Sequence, residues 1–313
     1  GGTKIAAAGI TIEGQILSRM TVPTLQEGPE KGIAQIISLL ESLIQEARID
    51  IAQVIGIGVG IPAVLEPETD FIIWGPNLVG WRNIDLRGSL ERHFFLPACI
   101  EYDGHTAALG EWWQGAAVGY QSAVSIVIGT GVGGGFVLDG KLIRGINRLA
   151  GAVGWFVLDP HNESASVKAR ALGSWESRIA GPGIAQHTRQ LLEMNPEIGS
   201  SLQAKKMVIS AEAVFDAAKQ NDPMALRVTD EIAELIGRGI ANIVSILNPE
   251  IIVLGGSIGS NSAFILPKIK ATVDRFAQPI SSQSVKLATS QLGADAGLYG
   301  AAYGLMLRLN LRR

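Results

Sequence analysis

A chain of 313 residues, 47% hydrophobic and only 18% charged, is long enough for two domains that each bury a core. Its formal charge of −3, with Lys and Arg scattered rather than gathered into a stripe, excludes a nucleic-acid backbone as the partner of this segment. The single Cys99 excludes an intramolecular disulfide and a multi-cysteine metal site and suits a reducing cytoplasm, while His93, His105, His161 and His187 show no ligand spacing.

The chain opens at Gly1 without Met, already inside GGTKIAAAGI, so an upstream strand or a whole upstream domain is expected beyond this sequence. KIAAAGI, an acidic turn at Glu13-Gly14 and QILSRMTV predict a β-hairpin. Residues 30–48 place Ile33, Ile36, Ile37, Leu40, Leu43 and Ile44 at helical spacing, the pattern of an amphipathic helix. The apolar runs at 54–65 and 250–259 are broken by glycine and shorter than the roughly 18–20 residues of a membrane helix, so they read as buried strands. Strand VIGIGVG is followed by a helix near 85–95, strand PACIEY, helix HTAALGEWWQG and strand SAVSIVIG; this alternation predicts an α/β fold with a largely buried sheet.

A second hairpin over 123–143 turns at Asp139-Gly140. In both hairpins a Gly-Thr pair (Gly2-Thr3, Gly129-Thr130) stands about ten residues before the acidic turn, which predicts two related half-structures. Residues 150–210 are less regular. Ser210 then reads as the N-cap of a helix, and 223–248 as a long amphipathic helix. Strand IIVLGG, a helix starting near Asn261, strand SVKLATS and a C-terminal helix close the chain.

Three glycine-rich turns carry the first chemical signal: Gly1-Gly2-Thr3, Gly129-Thr130-Gly131-Val132-Gly133-Gly134-Gly135 and Gly255-Gly256-Ser257. Glycine lets backbone N–H groups wrap an anion, and a Thr or Ser hydroxyl adds a donor. No Gly-Lys-Ser/Thr follows any of these turns at P-loop spacing, and the dinucleotide fingerprint opening a helix is also absent; the glycines read as sitting on hairpins instead. Asp103, at the end of PACIEYD, reads either as a helix N-cap or as a carboxylate at the sheet's C-terminal edge, where it can take a proton from an attacking hydroxyl. Asn77 and Glu176 read as partners of substrate hydroxyls or as exposed polar residues. His105 reads as a surface residue of the helix start rather than as a catalytic base.

The ordered set GGTK, GPNLVGW, EYDGHTAALGE, IGTGVGGGFVLDGKLIRG, LGSWES and NPEIIVLGGSIG resembles the ROK family of sugar kinases and sugar-responsive repressors over essentially the whole chain. The resemblance implies an actin-like ATPase (ribonuclease H-like) α/β fold, with ATP and a sugar in a cleft between two domains. These would be a smaller one over 1–104 and a larger one over 105–299, with the helix at about 300–313 packing back on the first. On this reading Gly1, Gly2, Thr3 and Lys4 form the first phosphate motif, and the family's Asp before it lies upstream of Gly1. Gly129, Thr130, Gly131 and Gly133 form the second, and Gly255, Gly256 and Ser257 lie near the adenosine. Asp103 matches the base that deprotonates a hexose primary hydroxyl for in-line attack on the γ-phosphate, with Mg²⁺ neutralising the phosphate oxygens. Asn77 and Glu176 match sugar-hydroxyl contacts, and a homodimer is implied.

The sequence also departs from that pattern. Gly151-Ala152-Val153-Gly154-Trp155 stands where the family reads Gly-Glu-x-Gly-His, which removes two sugar contacts and a zinc ligand. The zinc cysteines are gone as well: residues 164–176 read SASVKARALGSWE, with Ser174 in the last cysteine's place. No structural zinc is expected. Tyr102 replaces an Asn before the base, and Gly104-His105 replaces Ala-Asn. An unpaired polar partner costs about 1–3 kcal/mol, so losing these partners relaxes discrimination between sugars, and Trp155 is placed to stack on a sugar or substituted ring. The resemblance thus implies an ATP-dependent, glucokinase-like kinase of a hexose or hexose-like sugar, with polyphosphate open as the donor. The alternatives are a sugar-responsive repressor whose DNA-binding part lies upstream of Gly1, or a non-catalytic sugar sensor.

Overall fold

A computed structural model of the chain describes residues 2–75, 78–158, 173–204 and 208–311. Packing divides it into two compact units, the first comprising Gly1–Gly119, Gly135–Gly151 and Ala294–Arg313, the second Tyr120–Gly134 and Ala152–Gly293. Among the described residues no helix is long and apolar enough to cross a membrane.

In the first unit β1 (Lys4–Ile10) and β2 (Ile16–Pro23) pair antiparallel from Lys4 opposite Pro23 to Ile10 opposite Ile16. The turn between them passes through Gly14 in the left-handed region, φ +95°. Helix α1 (Pro29–Glu46) opens with proline in its first turn, where the missing N–H costs nothing. It buries Leu39 and Leu43 with Ala7 against Ile5, Met20 and Val22 of the hairpin. Strand β3 (Ile57–Ile61) precedes the short antiparallel pair β4 (Val64–Leu65) and β5 (Ile72–Trp74). Helix α2 (Leu86–Phe94) is capped by Asp85, whose carboxylate accepts from the Gly88 N–H at 2.7 Å. Strand β6 (Ala98–Tyr102) runs parallel to β3 and delivers the chain into α3 (Asp103–Gln114).

The C-terminal helix Ala296–Arg308 lies against α3 in the same unit. The approach is so close that a Cβ added at Gly110 would sit 2.0 Å from the Ala296 carbonyl oxygen, and one at Gly300 1.6 Å from that of Thr106. Glycine at these two points is what admits the backbones to contact, and it seats the helix that carries Asp103.

A five-stranded sheet is formed by β7 (Ala123–Ile128), β8 (Val132–Leu138), β9 (Lys141–Ile143), β10 (Ile251–Gly255) and β11 (Lys286–Thr289) in the order β11-β10-β7-β8-β9. The β8–β9 turn puts Asp139 and Gly140 both at positive φ, 49° and 72°, the twist that a two-residue hairpin turn needs. Helices α4 (Gly181–Met194), α5 (Ala211–Lys219) and α6 (Pro223–Leu247) follow. Ser210 caps α5 by accepting from Ala213 N–H at 3.2 Å, as its sequence position predicted. Strand β10 (Ile251–Gly255) is buried throughout and lies parallel to both β7 and β11 (Lys286–Thr289). Its unbroken apolar run fits a strand covered on both faces.

The alternation predicted a largely buried sheet; in addition to the five-stranded sheet, β1–β2, β3–β6 and β4–β5 form separate two-stranded sheets among the described residues. The helix expected from Asn261 is also displaced. A short helix Gly256–Asn261 follows β10 directly, and α7 (Leu266–Phe276) begins only after it, with Pro267 in its first turn.

Candidate active site

Asp103 is the first residue of α3, and the N-cap position falls to Tyr102 in extended conformation. The capping reading of Asp103 is thereby set aside, because its side chain stands inside the first turn. Asp103 is solvent-accessible but closely surrounded by protein. Loss of water pushes its carboxyl above the ordinary range, against the Gly104 backbone N–H and the neighbouring His105, which favour the charged form.

The expectation that His105 is a surface residue fails: it is fully buried, at 0% exposure. Its Nδ1 lies 3.0 Å from Glu101 Oε1, and its Nε2 lies 2.7 Å from the carbonyl oxygen of Ala150. Glu101 is itself buried at 1% and receives Arg144 Nε at 2.7 Å, with Arg148 Nη2 at 3.5 Å. Burial alone would raise the Glu101 carboxyl; hydrogen bonding from His105 and the charges of Arg144, His105 and Arg148 overcome this and hold it at about 2. Arg148 also donates to the Ile100 carbonyl at 2.9 Å and reaches Asp70, which binds Arg87 at 2.5 Å and Arg308 at 2.7 Å. Sequence reasoning missed this network. The only local trace was a carboxylate and an imidazole four residues apart in EYDGH, and Arg144 and Arg148 lie some forty residues further on.

At the N-terminus, Thr3 O accepts from the Thr24 N–H at 3.0 Å, and Gly2 O accepts from the Gln26 side chain at 2.5 Å. Thr3 and Lys4 are exposed. Gly1 and Asn77 lie outside the described residues, as does 164–172, where the family's cysteines would stand.

The second unit gathers the other two glycine motifs. Gly129 N–H donates to the Gly131 carbonyl at 2.9 Å, and Gly129 O accepts from Gly181 N–H at 2.8 Å. A Cβ at Gly129 would meet the Ser257 hydroxyl at 3.6 Å. Gly256 takes φ +80°, and a Cβ there would lie 2.4 Å from the Ile128 carbonyl oxygen. Gly129 and Ser257 are therefore neighbours although 128 residues separate them in sequence. Thr130 and Ser257 are exposed at this place, Gly133 is half-buried and Gly255 is buried. Side-chain-free backbone with two exposed hydroxyls suits a phosphate-bearing nucleotide.

Glu176 is tied to the same turn, its Oε2 accepting from Val132 N–H at 2.6 Å. Gly154 packs behind it, since a Cβ there would be 3.2 Å from Glu176 Cβ and 2.7 Å from the Val132 carbonyl. Trp175 anchors this corner. It is buried, donates from its indole N–H to Leu235 O at 3.0 Å, and stacks on Phe156 at 5.6 Å between ring centroids. Trp155, by contrast, is 51% exposed, and Ala152 is half-buried. Among the described residues no group of three or more His, Cys, Asp or Glu is gathered for a metal.

Residues 1–307 match the model of the ROK family. The chain is 33% identical to a glucokinase of Halalkalibacterium halodurans, over 97% of this chain and 92% of that protein. A ROK family glucokinase from Streptomyces griseus, solved in complex with glucose and AMPPNP, superposes with a TM-score of 0.80 at 27% identity, over 97% of this chain and 96% of that one. A xylose repressor of Caldicellulosiruptor bescii is 26% identical over 88% of this chain and 68% of its own length. The fold is that of the actin-like ATPases, mixed α/β with a central sheet. Within that class the chain belongs to the ROK family.

Proposed function

We propose that this ROK protein is a carbohydrate kinase that transfers the γ-phosphoryl group of ATP to a primary hydroxyl of a hexose or hexose-like sugar, with Asp103 as general base. The observation that carries the proposal is Asp103 itself, a solvent-accessible carboxylate in the first turn of α3 whose surroundings raise its proton affinity. A raised proton affinity makes the ionised carboxylate a better proton acceptor than an ordinary aspartate. Asp103 takes the hydroxyl proton on a carboxylate oxygen as the sugar oxygen bonds to the γ-phosphorus and the bond to the bridging oxygen breaks, releasing ADP. Bound Mg²⁺ supplies neutralisation of the phosphate oxygens.

The remaining residues hold and orient. Gly129, Thr130, Gly131 and Gly133 are assigned to the phosphates, and by their place in the family motif so are Gly1, Gly2, Thr3 and Lys4. Gly255, Gly256 and Ser257 face the adenosine. Tyr102, Trp155 and Glu176 are assigned to the sugar, as is Asn77 by its place in the family motif, and Glu176 also fixes the Val132 end of the phosphate turn. The glucokinase relative and the glucose complex of a similar chain support this reading. ADP release measured over a panel of hexoses, N-acetylated hexoses and pentoses with Mg-ATP tests it; the proposal expects turnover with at least one six-carbon sugar. A second reading, a sugar-sensing effector domain, is favoured by the xylose repressor's similarity, and sugar binding without ADP release on any sugar is its signature.

A further inference from the structure

Two ring nitrogens of one buried histidine face two acceptors. Glu101 Oε1 and the Ala150 carbonyl oxygen have no proton to give, because Glu101 is ionised and a carbonyl only accepts. A neutral imidazole has one N–H and one lone pair, so in this geometry it would point a lone pair at an oxygen at either 2.7 or 3.0 Å. Only the imidazolium satisfies both contacts.

We infer that His105 is a positioning residue for Asp103: held as an imidazolium between Glu101 and the Ala150 carbonyl, it fixes the first turn of α3 and places a positive charge beside the base. This inference rests on Asp103 acting as base. The clamp has several walls. The His105 ring meets Tyr102 edge-on at 5.2 Å, so it brackets the residue just before Asp103. A Cβ at Gly135 would lie 2.6 Å from the Gly104 carbonyl and 3.1 Å from His105 Cα, so β8 backs directly onto the turn. The segment carrying Ala150 is closed on itself by Ala150 N–H to Arg144 O at 3.0 Å. Arg144 then returns to Glu101, and Arg148 to Asp70 and Ile100. His105 thus joins β6, α3 and the 144–150 segment at the point where the base projects.

The charged groups facing His105 are Glu101 from β6, Arg144 and Arg148 from the 144–150 segment, and Asp103 from its own helix. Strands β3 and β8 bring no charged side chain, and the C-terminal helix brings only Arg308, which is engaged by Asp70. The His105 charge favours ionised Asp103. Neutralising it therefore moves the acid limb of the rate profile toward higher pH.

Two measurements on the full chain test the inference. In His105→Gln, the amide keeps a donor for the Ala150 carbonyl but carries no charge; on the acid limb kcat is expected to fall about threefold or more, while on the plateau above that limb it stays within about twofold of wild type. An acid limb that does not move overturns the inference. Independently of turnover, ¹⁵N NMR of histidine-labelled protein at neutral pH should show both His105 ring nitrogens protonated. A single protonated nitrogen overturns the inference and leaves the kinase proposal untouched, whereas wild-type protein without turnover and with a doubly protonated His105 overturns the kinase proposal alone.

Discussion

Glutamine at position 101 has the size of glutamate without its charge, and the cost of the exchange can be worked from the site. Glu101 is held at about 2 against an ordinary 4.5, a difference worth about 3 kcal/mol in favour of the folded, ionised form. Glu101→Gln removes that contribution and leaves Arg144, Arg148 and His105 facing a neutral amide, one end of which is itself a donor. The loss is therefore about 3 kcal/mol, within the range for breaking a buried charge pair. The sign of the pH dependence follows from the depressed value. The stabilisation is fully present above about 4.5 and disappears as the pH falls through about 2. Urea unfolding of wild type and variant, followed at pH 7 and again between pH 4 and 2, measures both. A difference below about 0.5 kcal/mol at pH 7, or one that does not shrink toward pH 2, would refute the reasoning.

Three other outcomes are expected. Gly300→Ala inserts a methyl group 1.6 Å from the Thr106 carbonyl oxygen; it should destabilise by about 1–3 kcal/mol or more and lower kcat by moving α3, which thermal unfolding and kinetics on one preparation would show. Wild-type kcat/KM should have an acid limb above the ordinary carboxylate range, since crowding raises Asp103; a limb at or below pH 3.8 contradicts that assignment. The double variant Ala152→Glu, Trp155→His restores the family's polar groups and should shift preference toward ordinary hexoses, about tenfold or more in relative kcat/KM; an unchanged sugar profile means that Trp155 does not face the substrate.

What the sequence disclosed and what it withheld divide along physical lines. Local periodicity located α1, α2 and α5 and both hairpins, because Ile33, Ile36 and Leu40, the Asp139-Gly140 turn and the Ser210 cap act within a few residues. Asp103 was legible as a strand end meeting a helix start. His105 was misplaced because its burial is decided by Glu101, Gly135 and Ala150, which only the fold brings to it. The tie between Glu176 and Val132 was hidden for the same reason, as was the slot at Gly239 that admits Trp175, where a Cβ would lie 2.3 Å from the indole ring. The segment where the family's Glu and His are absent is divided in its burial: Ala150 offers its carbonyl to His105, Val153 and Gly154 are buried, and Trp155 is exposed.

The proposed chemistry stands on one carboxylate, and one comparison tests it most directly. ADP release and sugar phosphate formation are followed for wild type and Asp103→Asn, at saturating Mg-ATP and with the best hexose found. The account predicts stoichiometric ADP and hexose phosphate from wild type, and a loss of about 10²–10⁴-fold in kcat for the variant with nucleotide affinity retained. Equal turnover by the two proteins would contradict it.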